Sequence, residues 1–267
     1  MLQLLSSYLT PKAEIPRRVY LGVSPVCGIL AFAAWCLMAY GNLVPDFFLP
    51  APHSVLVAAY ETALDGSLAK HTGASVLVIF SGFILASVIA VPLGILMGSF
   101  KLVEALIEPV TNFMRYLPVS ALIPLLILWI GIGIEEKISV IFLGTIFQQL
   151  ILVSDTSARV SQDLLDVSYT LGANRRQVVT RVLIPATLPG VMDTLRVTMG
   201  WAWTFLVVAE LVAADKGLGY MILNAMRGLF TEKIFLGIVI IGLLGLLTDQ
   251  SLKALRRWLL PWAAETK

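Results

Sequence analysis

The chain has 267 residues, 58% of them hydrophobic and only 13% charged, with a net charge of +2 and a mean hydropathy of +0.88. Soluble domains carry roughly a quarter charged residues, so a water-soluble fold is excluded for want of a polar skin. The small net charge, with no basic run interleaved with aromatics, excludes nucleic acid as a partner.

A helix needs about 20 mostly apolar residues to cross the hydrocarbon core. Six stretches meet this: 19–40, 73–98, 110–133, 138–159, 191–214 and 234–252. The first comes after Arg17-Arg18 and lacks a small-residue cleavage pattern, so it reads as a signal anchor. Cys27 and Cys36 both fall in it, about 13 Å apart along one helix, too far for a disulfide. Leu49-Pro-Ala-Pro52 is a stiff lead-in to a segment, 52–71, in which Val55, Leu56, Ala59, Tyr60 and Ala63 recur at helical spacing. That segment is expected to lie at the outer interface, with His53 and His71 solvated. In the third span Pro118 and Pro124 interrupt the helix, and Arg115 is expected near its inner end.

With the N-terminus inside, the cytoplasmic segments hold 13 of the 19 Lys and Arg residues and the outer segments 5, Arg115 being unassigned. The positive-inside bias therefore places both termini in the cytoplasm. The expected fold is all-α: a polytopic membrane bundle of about six helices in one domain, 1–267. It has a cytoplasmic tail 1–18, the outer segment 52–71 and a cytoplasmic loop 160–190. The stretch 217–228 is too short to span and reads as a helix tucked into the bundle from outside.

The loop 160–190 is the most informative part. Leu164, Val167 and Leu171 share one face of a helix that starts near Asp163, with Asp163 and Asp166 in its first turn, where the macrodipole favours anions. Gly172 stands where a left-handed terminator is wanted, and Asn174 is placed to cap a second helix with an apolar face of Val178, Val179, Val182 and Leu183. Pro185 is expected to end that helix, and Pro189-Gly190 to turn the chain back into the membrane. Arg175 and Arg176 sit in the second helix's first turn, where positive charge is disfavoured, so lipid phosphates, nearby acids or an acidic partner should compensate them.

Asp166-Val167-Ser168, then Gly172-Ala173 and Ile184-Pro185, resemble the EAA loop of permease subunits of bacterial ATP-binding-cassette importers. Asp166 replaces the family's Glu, and Val167-Ser168 its two alanines. Leu49-Pro-Ala-Pro52, Trp129-Ile-Gly-Ile-Gly133, Ala209-Glu-Leu211 and Gly217-Leu-Gly-Tyr-Met221 resemble the permeases for nitrate, bicarbonate, taurine and alkanesulfonates. The resemblance implies a type I importer permease in a bacterial inner membrane. It implies Leu164, Asp166, Val167, Ser168, Leu171, Gly172, Ala173, Arg175 and Arg176 as the surface that couples to an ATPase. The implied partners are cytoplasmic ATPase subunits carrying ATP and Mg, an external substrate-binding protein, a second copy of the chain, and lipid.

No phosphate loop of the G-x-x-x-x-G-K-[ST] type and no Cys/His cluster is present, so the expectation is a non-enzymatic chain without a cofactor or metal of its own. Polar groups inside spans face the bundle interior or a wet cavity. On that ground Gln148, Gln149, Thr204 and Glu210, with Arg115, are the candidates for a translocation pathway or gate, Glu210 also being placed to brace an outer gate. Trp129, Trp201 and Trp203 fit either a pathway lining or an interfacial belt, the belt being the default reading. Two alternatives stand beside an importer: an ion-driven secondary carrier, which needs inverted repeats and paired intramembrane charges, and a non-transporting scaffold.

Overall fold

The computed structural model describes residues 16–263, so residues 1–15 of the expected tail lie outside the described residues. All regular elements among them are helical. In chain order these are α1 (Arg17–Val23), α2 (Val26–Tyr40), α3 (Pro52–Leu64), α4 (Ser67–Ser99), α5 (Lys101–Met114), α6 (Val119–Ile130), α7 (Ile134–Ala158) and α8 (Gln162–Thr170). A short α9 (Arg175–Gln177) runs through a π-helical turn, Val178–Leu183, into α10 (Ile184–Ala213), and α11 (Leu218–Arg227) and α12 (Thr231–Leu259) complete the order. Among the described residues four helices are long and apolar enough to cross a membrane: α4, α7, the continuous helix ending in α10, and α12; the bent pair α5–α6 passes the same test only when taken together, as a fifth.

Small residues decide how the central helices meet. Gly82, Ala86, Ala90, Gly94 and Gly98 recur every fourth residue on α4, and α7 lies against that stripe. A Cβ on Gly82 would sit 2.8 Å from the Ile138 carbonyl, and one on Gly94 2.8 Å from Val153 Cβ. In lipid, where apolar contact with a helix gains nothing over contact with a tail, such close approach is what holds helices together. α10 closes the core on the third side, where Val78, Ile79 and Phe83 of α4 meet Ile141 of α7 and Met199, Ala202, Trp203 and Leu206 of α10. Trp203 is 5% exposed and its indole N–H donates to Thr248 Oγ1 at 3.2 Å, so it is a core residue and not part of an interfacial belt. Trp129, by contrast, is exposed.

Several expectations change. The third span is not one helix: α5 and α6 meet at 94° across residues 115–118. Pro118 has no N–H to continue the ladder and holds the residue before it out of the helical region. Pro124, one turn and a half into α6, is tolerated. Second, Pro185 does not end a helix and Pro189-Gly190 does not turn the chain; the helix runs on through both prolines. The π turn accounts for this. The Ile184 N–H bonds the Val179 carbonyl five residues back, so the ladder is already widened where the Pro185 ring would strike the carbonyl of Arg181.

Third, the outer amphipathic segment is two elements. α3 ends at Leu64, Gly66 turns the chain, and α4 begins at Ser67, six residues before the expected start of the span. The face that α3 buries is Pro52, Val55, Ala58 and Thr62, while Leu56 and Tyr60 point outward. The first expected span is divided between α1 and α2. Trp35 of α2 anchors that arm by stacking on Phe235 at 5.9 Å and donating to the Pro50 carbonyl at 3.0 Å.

Candidate functional site

At one end of the bundle, α8 projects as a short helix that packs only its Leu165–Ser168 side inward. Leu164 is 44% exposed, Val167 57% and Leu171 82%. Its end is built from local chemistry. Gly172 adopts φ +85°, its N–H bonds the Tyr169 carbonyl at 2.9 Å, and the Ala173 N–H returns to the Ser168 carbonyl at 3.1 Å. This is the paired closure that a left-handed glycine permits. Asn174 then starts the next helix with a reciprocal box: its side chain accepts from the Gln177 N–H at 3.0 Å, and the Gln177 side chain accepts from the Asn174 N–H at 2.9 Å. Sequence reasoning finds Asn174 and misses Gln177, although the Asn-x-x-Gln spacing is legible in the chain. Arg175 lies over the Phe100 ring at 5.3 Å, so an aromatic face, not an acid, offsets part of its unfavourable position. The apolar row Leu164, Val167 and Leu171 is left facing outward beside Arg176 and Asp166.

Halfway along the bundle, the break between α5 and α6 opens a cavity of about 180 Å³ against α7 and α10. Arg115 and Gln148 both line it. Gln148 is about 21 Å from one end of α7 and about 15 Å from the other at 1.5 Å per residue, and the half-buried Arg115, just past the end of α5, shares the cavity with it. The right-angle bend carries it there. Gln149 points the other way: fully buried, its amide donates to Ser87 Oγ at 3.1 Å and Thr198 Oγ1 at 3.3 Å, tying α7 to α4 and α10. Thr204 is exposed on the outward face of α10, in one stripe with Val197, Gly200 and Trp201.

At the other end, Glu210 is 1% exposed and its carboxylate clasps α11. Ser75 donates to Oε1 at 2.7 Å, and the Gly219 N–H donates to Oε2 at 2.7 Å. The Ser75 hydroxyl also accepts the Leu218 N–H at 2.8 Å, and His71 Nδ1 accepts the Gly217 N–H at 3.1 Å. The free amides that open α11 are thus taken up by three side chains from α4 and α10. Gly217 has φ +122° and passes directly against the Glu210 carboxylate, so only glycine fits. His71 is therefore a structural acceptor and not a solvated residue. Alongside, buried Lys137 reaches exposed Asp215 at 3.6 Å. That carboxyl is held below the usual range, first by its own backbone N–H and further by Lys137. Sequence reasoning singles out Glu210 and notes Ser75 beside His71 only as a protease-like pair to be set aside; the bracing role is not legible because the partners of that serine lie 135 and 143 residues away.

A charged lattice that no sequence signal announces joins α10 to α12 toward the α8 end. Arg196 Nε donates to Asp249 at 2.9 Å, Lys253 pairs with Asp249 at 2.6 Å, and Asp193 accepts from Arg256 at 3.1 Å.

Known proteins share this chain's sequence and fold along most of its length. Residues 90–261 match the family described as binding-protein-dependent transport system inner membrane component. A probable ABC transporter permease of Brucella melitensis is 36% identical over 243 residues, 91% of this chain and 97% of that protein. The taurine transport system permease of Escherichia coli is 33% identical, covering 95% and 93%. The putative aliphatic sulfonates transport permease of Bacillus subtilis is 34% identical, covering 86% and 83%. Among solved structures, the inward-facing MetNI methionine ABC transporter shares the fold with a TM-score of 0.60 at 19% identity, over 72% of this chain and 97% of that one.

Proposed function

The chain belongs to the family of binding-protein-dependent transport system inner membrane components, and on that premise we propose that it forms the passage for a small anion, as one half of a homodimer driven by two ATPase subunits. It is a multi-pass inner-membrane permease of an ABC importer; ATPase and substrate-binding partners go with that family.

The observation that carries the reading is the exposed apolar row of α8, Leu164, Val167 and Leu171, standing beside Arg175 and Arg176. An apolar row left in water costs roughly 25 cal/mol per Å², so an ATPase groove that covers it gains binding energy. The continuous helix from Arg175 through α10 links this surface to mid-span and then to the Glu210 clasp. ATP-driven closure of the ATPase pair would push on α8 and tilt α10. We place the cytoplasm at the α8 end, with both termini inside, and the binding protein at the α11 end. Thr204, a polar group on the outward face of an apolar helix, supports a second copy or a wet passage against α10. Arg115 and Gln148 are placed on the pathway, and the hydrogen-bonded Gln149 and Glu210 as braces. The named substrates of the relatives, taurine and aliphatic sulfonates, support a small organic anion as cargo.

The test is Gly172→Val in the purified complex. Nothing lies within 4 Å of the added Cβ, so the change acts through the left-handed backbone alone, costing about 1–2 kcal/mol. Insertion is expected to survive while ATP hydrolysis no longer drives uptake. Normal coupled uptake would remove the role given to the α8 turn. Uptake that persists without ATP and collapses with an ion gradient would replace the importer with a secondary carrier.

A further inference from the structure

We propose that the groove between the end of α4 and the π turn is a site for an anionic phospholipid, with its phosphate on Arg175 and one acyl chain in the groove. This goes beyond the permease reading and takes from it only the leaflet, the cytoplasmic one.

The apolar half of the site is a gap in helix packing. α4 and α10 meet through Val91 and Ile95 on one side and Ile184 and Val191 on the other. Toward the α8 end a groove of about 180 Å³ opens between them, with Pro92, Leu96 and Phe100 on one wall and Val179, Leu183 and Ile184 on the other. The first three are spaced four residues apart, so that wall runs about 12 Å along the chain at 1.5 Å per residue. Leu96 is 39% exposed, and both walls are apolar throughout. Left empty, such a groove forfeits the dispersion contacts of its lining. The walls favour no lipid over another, because tails are as apolar as leucine. The selection comes from the charge at the end of the groove.

Phe100 is the last apolar residue before Lys101, so this end of the groove is the one that meets the headgroups. The Arg175 guanidinium lies over that same ring at 5.3 Å. Among the described residues no acid pairs with the exposed Arg175, Arg176 or Arg181, and Glu104, the acid nearest Phe100 in the chain, is held by Lys101 at 2.6 Å. Arg175 and Arg176 also open the long helix Arg175–Val212, whose positive dipole end repels them and attracts an anion. The ring eases the holding of the guanidinium but brings no negative charge. A lipid phosphate brings it where the acyl chain enters the groove, and basic pockets between membrane helices bind anionic headgroups in this way. An acidic face on an ATPase, or free phosphate, would answer the charge and leave the groove unfilled.

The test is native mass spectrometry of the full chain in mild detergent, titrated with dioleoyl phosphatidylglycerol or dioleoyl phosphatidylcholine. One cation beside a headgroup is worth about fivefold in binding, so the first lipid is expected to be phosphatidylglycerol by about that factor. Arg175→Gln should bring the ratio to about one, and Arg175→Lys should keep most of it. Leu96→Trp fills the groove from its exposed wall with every arginine in place, and should lower first-site binding of phosphatidylglycerol severalfold. Val179→Phe does so from the other wall if Leu96→Trp is poorly folded. Arg257→Gln removes an exposed charge from the end of α12 and should leave the ratio unchanged. Equal first binding of the two lipids, or a preference that survives Arg175→Gln, would overturn the site. First-site binding unchanged by both groove-filling variants would overturn the acyl-chain half. Displacement of phosphatidylglycerol by an equal concentration of glycerol phosphate would replace the lipid with a soluble anion. ATPase co-purification from the same membranes is read separately: loss of the ATPase in Arg175→Gln with the lipid preference intact would give Arg175 to the coupling surface instead.

Discussion

Ser75→Ala isolates the clasp on α11, because it removes one oxygen from a fully buried position and adds nothing. Two groups lose their partner together. Glu210 Oε1 loses a donor at 2.7 Å, and the Leu218 N–H loses an acceptor at 2.8 Å. Each buried polar group left unsatisfied costs about 1–3 kcal/mol, so the pair costs about 2–6 kcal/mol. The loss falls locally, since the bonds join α11 to α4 and α10 and not the long helices to one another. Hydrogen exchange by mass spectrometry is the direct assay. At about 1.4 kcal/mol per tenfold, a loss of about 3 kcal/mol speeds exchange over residues 217–221 roughly hundredfold, while α7 amides stay protected. Ser251→Ala is the control, its hydroxyl being exposed and bonded only to its own helix at Leu247, with an expected effect within about 0.5 kcal/mol. If 217–221 exchanged no faster in Ser75→Ala than in the control, Ser75 would not anchor α11 and the clasp would be wrong.

Gly94→Leu should prevent close packing of α4 on α7, because even a Cβ there sits 2.8 Å from Val153 and 3.0 Å from the Leu150 carbonyl; overpacking costs about 1–3 kcal/mol or more, and the yield of monodisperse protein in mild detergent should fall sharply. Glu136→Leu should leave thermal stability unchanged or raise it, since both Glu136 oxygens are buried without a hydrogen-bond partner among the described residues; a clear drop in melting temperature would show that the carboxylate is needed. Arg196→Ala should weaken the α10–α12 junction by about 0.5–2 kcal/mol; a double-mutant cycle with Asp249→Ala should give less than the sum of the two single losses.

Much of the α8 end is legible in the chain alone, because its determinants are local. Gly172 needs φ > 0, Asn174 caps the helix after it, and the Leu164–Val167–Leu171 row obeys helical spacing; each depends on neighbours within a few residues. The membrane class is equally legible, since solvation by lipid acts on average composition. Expectations fail where one local signal admits two outcomes. A proline can stop a helix, as Pro118 does, or ride through it, as Pro185 does behind a π turn, and the surroundings of the freed carbonyl decide which. An apolar period on α3 says that one face is buried but not which one, and Leu56 and Tyr60 fall on the open side.

Composition and local pattern thus settle the solvent, the helix content, the turn after α8 and the set of polar residues that the spans contain. What those polar residues meet is a matter of packing. Gln148 and Gln149 are adjacent in the chain, yet a helix turns successive side chains about 100° apart, so one lines a cavity and the other is locked between three helices. Arg115 comes to share a cavity with Gln148 only because α5 and α6 meet at a right angle, and Ser75 finds Glu210 only where α4 and α10 pack side by side. Contacts between residues more than a hundred positions apart arise when helices dock, and no periodicity along the chain encodes them.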